Sequence, residues 1–284
     1  MKLAISNIAW APQDARSVYA MMQARGFNGL EIAPGLAFAG QEDAFVPSPE
    51  AEAAFRADLA EFGLSAVSMQ SLLFGVVGAK LFGSADELAA LERGLERAIA
   101  LAGRLGIGNL VFGSPGNRVI PEGMPMADAR AHAADLFRRL GDKAQAAGTV
   151  LALEPNPAAY GTNFMTHVAS AADFTLMVDH PAITLNYDMG ALYMNDEQDQ
   201  AGALYRRAAG KVSHVHISEP QLAPAPADAA SLQTIAADLI GQGYDKWFSI
   251  EMRAPAADGL AIIDQCLAAT ADALFSAGSA AHAQ

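Results

Sequence analysis

Four apolar stretches in the second half of the chain each carry, at or one residue before their end, a side chain that can ligate a metal. They read Val150-Leu151-Ala152-Leu153-Glu154, Ile183-Thr184-Leu185-Asn186-Tyr187-Asp188, Val212-Ser213-His214-Val215-His216-Ile217 and Trp247-Phe248-Ser249-Ile250-Glu251. The intervals are 34 residues from 154 to 188, 28 from 188 to 216 and 35 from 216 to 251. A lone carboxylate at the end of a strand is usually a cap or half of a surface pair. Four groups spaced by similar intervals converge if the stretches are neighbouring strands. Three ionised carboxylates cannot share one buried end of a sheet unaided, because an unpaired buried charge is strongly unfavourable. A divalent cation resolves the conflict. Carboxylate oxygens with one imidazole nitrogen suit one Mn²⁺, with Mg²⁺ or Co²⁺ as alternatives, in an octahedral geometry that leaves room for substrate oxygens. Glu154, Asp188, His216 and Glu251 are the predicted ligands. His214 and His216 face the same way, and spacing alone does not separate them. His216 lies nearer the strand end and is the predicted ligand, with His214 one layer below it or in reach of substrate.

For these groups to meet, the chain has to form consecutive βα units. Eight candidate strands are legible at Leu3–Ile8, Gly29–Ala33, Leu64–Gln70, Asn109–Gly113, Val150–Glu154, Ile183–Asp188, Val212–Ile217 and Trp247–Glu251. Dividing 284 by eight gives about 35 residues per unit, close to the repeat of a (β/α)8 barrel of about 250 residues. Between the strands, Ser84 with Glu87 forms a capping box ahead of an apolar stripe at Leu88, Leu91, Leu95, Ile99 and Ala102. Ser48-Pro49 offers an N-cap followed by proline at the first helical position, and Ser170 with Asp173 opens another helix. Gly26, Gly63, Gly106, Gly148 and Gly243 each follow a helical stretch and precede a strand, where a left-handed residue is wanted. The longest irregular stretches, Pro34–Pro47, Ser71–Gly83, Ser114–Met126 and Pro155–Thr166, all follow strands. Loops on that side build the functional face of such barrels. The expected architecture is one α/β domain over residues 1–277, a (β/α)8 TIM barrel, followed by a flexible tail over 278–284.

Composition narrows the function classes. The 18 Lys and Arg against 31 Asp and Glu leave a formal charge of −13, which repels a phosphate backbone and disfavours DNA or RNA as a partner. With 52% hydrophobic and 17% charged residues the chain has ample material for a core. Cys266 is the only cysteine, so neither an intrachain disulfide nor a cysteine zinc cage is available. No uninterrupted apolar run approaches the roughly 20 residues of a membrane helix, and the N-terminus turns polar before a leader-type apolar stretch develops. A cytoplasmic chain with no membrane partner is expected, possible as a homo-oligomer.

The sequence resembles the xylose isomerase-like (β/α)8 superfamily, the sugar phosphate isomerase and epimerase family whose barrel is shared with endonuclease IV. The resemblance lies in Leu153-Glu154-Pro155-Asn156-Pro157, Tyr187-Asp188-Met189-Gly190, His214-Val215-His216-Ile217-Ser218-Glu219 and Ile250-Glu251-Met252-Arg253. Gly29-Leu30-Glu31-Ile32-Ala33 and the run from Val111 to Arg118 extend it over nearly the whole chain. In sugar epimerases of this type, residues matching Glu154, Asp188, His216 and Glu251 hold one divalent metal. The resemblance further implies that Glu154 and Glu251 are catalytic. One removes the proton beside a sugar carbonyl, giving an enediolate, and the other returns a proton. Ketose 3-epimerases carry a glutamate six residues after the first ligand, a histidine three after the second and an arginine six after the third. Here Tyr160, Ala191 and Leu222 stand at those positions, which argues against that specificity. The nuclease branch needs histidines at other strand ends, and the strands ending Met69-Gln70 and Phe112-Gly113 supply none. Of the lysines only Lys80 lies in a βα loop, which disfavours Schiff-base chemistry.

Several further residues can shape a sugar or polyol site. Arg253 and Arg118 can each hold a phosphate or carboxylate through a bidentate guanidinium. Trp10, Phe74 and Tyr160 offer faces for a sugar ring. Glu219 and Gln221 lie just beyond His216, where Glu219 bonds sugar hydroxyls or caps the next element. Asn7 and Glu31 are polar groups on core strands, and a buried Glu31 needs a partner, either a ligand it supports or an arginine. The function expected is a metal-dependent isomerase or epimerase of a small sugar or sugar derivative. Alternatives on the same scaffold are a lyase like the inosose dehydratases and a non-catalytic sugar-binding barrel.

Overall fold

Eight parallel strands hydrogen-bond in chain order, and the last pairs with the first to close the sheet. The computed structural model describes residues 1–281. The strands are β1 (Lys2–Ser6), β2 (Gly29–Ile32), β3 (Ser65–Met69), β4 (Asn109–Phe112), β5 (Val150–Leu153), β6 (Ile183–Asp188), β7 (Val212–Ser218) and β8 (Trp247–Glu251). The helices are α1 (Ala15–Ala24), α2 (Pro34–Ala37), α3 (Pro49–Glu61), α4 (Ala85–Leu105), α5 (Met126–Ala146), α6 (Val168–Val178), α7 (Met189–Met194), α8 (Ala201–Arg207), α9 (Ala229–Gly241) and α10 (Gly259–Ala281). The expected single-domain (β/α)8 barrel is therefore present.

Local signals fix most helix ends. The Ser84 and Glu87 capping box opens α4, and Gly106 ends it in the left-handed region at φ 73°. Ser48 caps α3 by accepting a hydrogen bond from the Ala51 amide at 3.2 Å. The helix expected to open at Ser170 instead begins at Val168, with His167 as its cap. The Ser170 hydroxyl reaches back to the His167 carbonyl at 2.8 Å, so it lies inside the first turn. The tail expected from Gly278 is helical as far as Ala281, where it continues α10, and residues 282–284 lie outside the described residues. By length and composition α10 could span a bilayer. It packs on α9 and α1, with Ile263, Leu267 and Leu274 buried.

Strand alternation sorts the side chains into two environments. Leu153, Val215 and Ile250 point outward into the sleeve of apolar contacts between sheet and helices and are fully buried. In that sleeve Phe137 on α5 packs edge-on against Phe112 of β4 and Phe174 of α6, at centroid distances of 5.4 and 5.9 Å. The inward layer is unusually polar for a barrel, whose interior is ordinarily filled by branched apolar residues. Asn109 donates to Ser68 at 3.0 Å, Ser213 donates to Asn109 at 2.8 Å, and the Thr184 and Ser213 hydroxyls meet at 2.7 Å. Buried polar groups need such partners. This network carries polar side chains up the barrel axis to the C-terminal ends of the strands.

Candidate active site

Glu154, just past β5, Asp188 ending β6, His216 on β7 and Glu251 ending β8 converge, each offering a ligand atom within 4.8 Å of the others. His216 Nδ1 lies 2.9 Å from Glu154 Oε1, 3.3 Å from Glu251 Oε2 and 3.8 Å from Asp188 Oδ2. The register is stepped rather than level. Asp188 pairs with His216, but His216 pairs with Ser249 and Glu251 with Ser218, one side-chain repeat further on. The tilt of barrel strands turns that stagger into convergence.

Three of the four ligands are held by further groups outside the cluster. On the far side of the imidazole, His216 Nε2 lies 3.1 Å from both oxygens of Glu31, fully buried on β2. Gln70 donates to the same carboxylate at 3.0 Å, and His214 Nε2 approaches it at 3.1 Å. A carboxylate behind a histidine fixes which ring nitrogen is free to ligate, here Nδ1. Ser218 donates to Asp188 Oδ2 at 2.7 Å, while Asp188 Oδ1 accepts the Ala191 amide at 2.6 Å and so caps α7. Glu154 Oε1 accepts from Asn186 at 2.7 Å, and its Oε2 from Asn156 at 3.0 Å. Asn156 in turn accepts from the buried Arg118 at 2.7 Å. Gly113 lies so close that a Cβ there would collide with Glu154 Oε2. The chain can pass behind the carboxylate only because that position has no side chain.

The acids are not equivalent electrostatically. Burial drives Asp188 up to about 8, helped by the charges of Glu154 and Glu251, and burial likewise raises Glu251. Burial would raise Glu154 too, but His216, Asn156 and Arg118 together outweigh it and hold Glu154 below the usual carboxylate range. Burial opposes a charge on His216, yet Glu31 and Glu251 hold its pKa well above the ordinary imidazole value. Three crowded carboxylates, two of them pushed by burial toward their protonated forms, are a set a divalent cation would satisfy. The donors are hard oxygens plus one imidazole nitrogen, as Mn²⁺, Mg²⁺ or Co²⁺ requires.

Above the cluster opens a cavity of about 280 Å³ lined by the three acids with Pro115, Asn156, Tyr160, Gly190, Ser218, Glu219, Leu222 and Arg253. Burial raises the Tyr160 phenol, whose oxygen accepts the Gln221 amide at 3.0 Å and feels the charges of Asp188, Glu251 and Arg253. Glu219, half-buried, accepts the Ala227 amide at 2.7 Å.

Comparison with known proteins places this geometry. A family model described as xylose isomerase-like TIM barrel matches residues 20–270. The chain belongs to that family. Among solved structures it is similar to L-ribulose 3-epimerase, with 19% identity over 100% of this chain and 98% of the other and a TM-score of 0.79. It is also similar to D-psicose 3-epimerase, with 18% identity over 98% and 100% and a TM-score of 0.77. Similarity to 3-keto-D-glucoside 4-epimerase from E. coli is 19% identity over 94% and 98%, with a TM-score of 0.74. No curated protein matches the sequence.

Within this xylose isomerase-like barrel, the four predicted ligands come together, and Tyr160, Glu219 and Arg253 line the cavity. Four other predicted substrate contacts lie elsewhere. Arg118 is fully buried behind Asn156, because the turn at Pro115–Asn117 folds it into the barrel wall. His214 is fully buried against Glu31, one strand repeat below His216. Trp10 lines a separate depression with Asn7 and Tyr19, packed edge-on against Tyr19 at 6.3 Å. Phe74 is exposed in a surface groove with Phe45 and Arg97. Lys80 pairs with Glu87 at 2.7 Å. Sequence reasoning missed the donors to the ligands, Asn186, Ser218 and Asn156. Their signal is a small polar residue two positions before or after a ligand, which strand alternation puts on the same face. Of the two options for Glu31, the histidines rather than an arginine are its partners.

Proposed function

We propose that this chain is a divalent-metal-dependent isomerase or epimerase of a small sugar or sugar derivative, with Mn²⁺ the favoured ion. The observation that carries this reading is the convergence of Glu154, Asp188, His216 and Glu251 beneath a sugar-sized cavity. A bound ion would supply Lewis acidity where negative charge develops beside a carbonyl. The chain's own part is to place two glutamates on non-adjacent strands around the reacting carbon. One takes the proton next to the carbonyl and the other returns one, which inverts a centre or moves the carbonyl. Asn186 and Asn156 hold both Glu154 oxygens in place, and His216 orients Glu251. Tyr160 and Leu222 present an aromatic and an aliphatic wall that limits water over the floor. The solved structures to which the fold is similar are named as sugar epimerases, which supports the isomerase or epimerase part of the reading.

The test is metal analysis of purified protein followed by solvent-deuterium exchange into a panel of ketoses, aldoses and sugar derivatives. The expected result is one divalent ion per chain and exchange at one carbon, both lost in Glu154→Gln and Asp188→Asn. A protein that takes up no divalent ion when supplied with it overturns the proposal. Exchange accompanied by loss of water would assign a lyase, and ligand binding without exchange a binding barrel.

A further inference from the structure

The rim of the cavity differs from its floor. The floor holds the three acids, with the fully buried His216 behind them, and the rim holds Arg253, the only cation among the lining residues. Arg253 follows Glu251 by two residues, and the fully buried Met252 between them anchors the strand end. Its own main chain is fixed, since the Arg253 amide donates to the Leu222 carbonyl at 2.9 Å. Its side chain is exposed, and among the described residues the guanidinium makes no hydrogen bond and no ion pair. In this acidic chain many exposed arginines are matched to acids, as Arg25 is to Asp264 and Arg207 to Asp173. Glu219 lines the same cavity, but its Oε1 is engaged by the Ala227 amide.

The segment that fixes Arg253 is itself unusual. Gln221 and Leu222 both adopt left-handed backbone, at φ 61° and 55°, which non-glycine residues seldom do in succession. That conformation sends the Gln221 amide to the Tyr160 hydroxyl and the Leu222 carbonyl to the Arg253 amide. Backbone of this kind persists where the surroundings over-determine it, most often at ligand sites. The result is a rim in which an aromatic face, an aliphatic side chain and one free guanidinium are fastened to a single loop. A guanidinium can donate to neutral hydroxyls, but only an anion also meets its unpaired charge.

We infer that the substrate is an anionic sugar derivative, bearing a carboxylate or a phosphate that Arg253 holds at the rim while the reacting carbons lie over the floor. The inference rests on the proposed function and adds the substrate class to it. A divalent ion would neutralise most of the charge of the three floor acids, leaving Arg253 to meet the anion against Glu219 alone. The guanidinium fork suits both carboxylate and phosphate, so the experiment has an arm for each.

The test is calorimetric titration of the Mn²⁺-loaded protein with a panel of neutral ketoses, their terminal phosphates and the matching keto-sugar acids. At least one anionic sugar should bind about tenfold to a hundredfold more tightly than its neutral parent, as a charge-assisted contact gives. The arm that responds names carboxylate or phosphate. Arg253→Met should erase that margin while leaving Mn²⁺ uptake and melting temperature unchanged, and Arg253→Lys should retain part of it. Neutral sugars binding as tightly as anionic ones, or a margin that survives in Arg253→Met, overturns the inference and leaves the metal-dependent function standing. Absence of Mn²⁺ uptake, or of binding by any sugar, overturns both.

Discussion

His216 Nε2 sits 3.1 Å from both oxygens of Glu31, on the opposite side of the ring from the ligand cluster. A residue on β2 thus decides which nitrogen β7 presents to the centre of the barrel. Glu31→Gln keeps the shape and removes the charge, so the tautomer is no longer imposed. Metal affinity should fall about tenfold to a hundredfold, as for other groups that orient a ligating histidine, measured by competition with a chelating dye. Unchanged affinity would mean that Gln70 and the ring packing suffice.

The raised carboxyl of Asp188 predicts a pH dependence with a definite sign. Its proton leaves the unfolded chain near the ordinary aspartate value of 3.8 but stays in the metal-free fold until about pH 8. The metal-free protein should therefore lose stability as pH rises through that window, because the unfolded state gives up its proton first. Metal uptake near pH 7 should release protons and strengthen with pH. Calorimetry in buffers of different ionisation enthalpy reads the release directly, and uptake with no proton release would contradict it.

Gly113→Ala tests the close approach behind Glu154. The added methyl meets Glu154 Oε2 and, at 3.3 Å, Asn156 Oδ1. Overpacking of this kind costs about 1–3 kcal/mol, and here the readiest group to move is the ligand. We expect a folded protein with weakened metal binding. Loss of metal affinity without loss of the cooperative melt is the outcome to look for.

Phe137→Ala supplies the opposite control. Phe137 is fully buried between Phe112 and Phe174 on the helix side of the sheet. Its truncation should cost about 3–5 kcal/mol and leave metal affinity per folded molecule unchanged. Denaturant melts paired with metal titration separate the two quantities.

The ligands were legible because each lies within two residues of the end of an apolar strand, and the fold because helix caps and left-handed glycines keep step with those strands. Gly106 and the Ser84 cap are local features, readable from neighbours in the chain. The partners of Glu31 were not, since His214 and His216 lie more than 180 residues away and only barrel closure brings them near. Arg118 was misjudged for the same reason. Its loop position made it a candidate to hold a substrate anion, but Asn156, 38 residues on, receives it inside the wall. The polar interior was partly foreseeable from strand alternation. Which hydroxyl meets which amide depends on the stagger of strands, visible at the register shift between Leu185 and Asn186.

Asp188 serves two structures at once, with Oδ2 turned toward the ligand cluster and Oδ1 capping α7 through the Ala191 amide. Whatever happens to that carboxylate is passed to the first turn of the helix without any movement of the barrel. Exchange of the Ala191 amide with deuterated solvent therefore becomes a clock for the site, slow when a cation locks the aspartate and faster when it is free. A single backbone proton would then report occupancy even where the ion has no spectrum of its own.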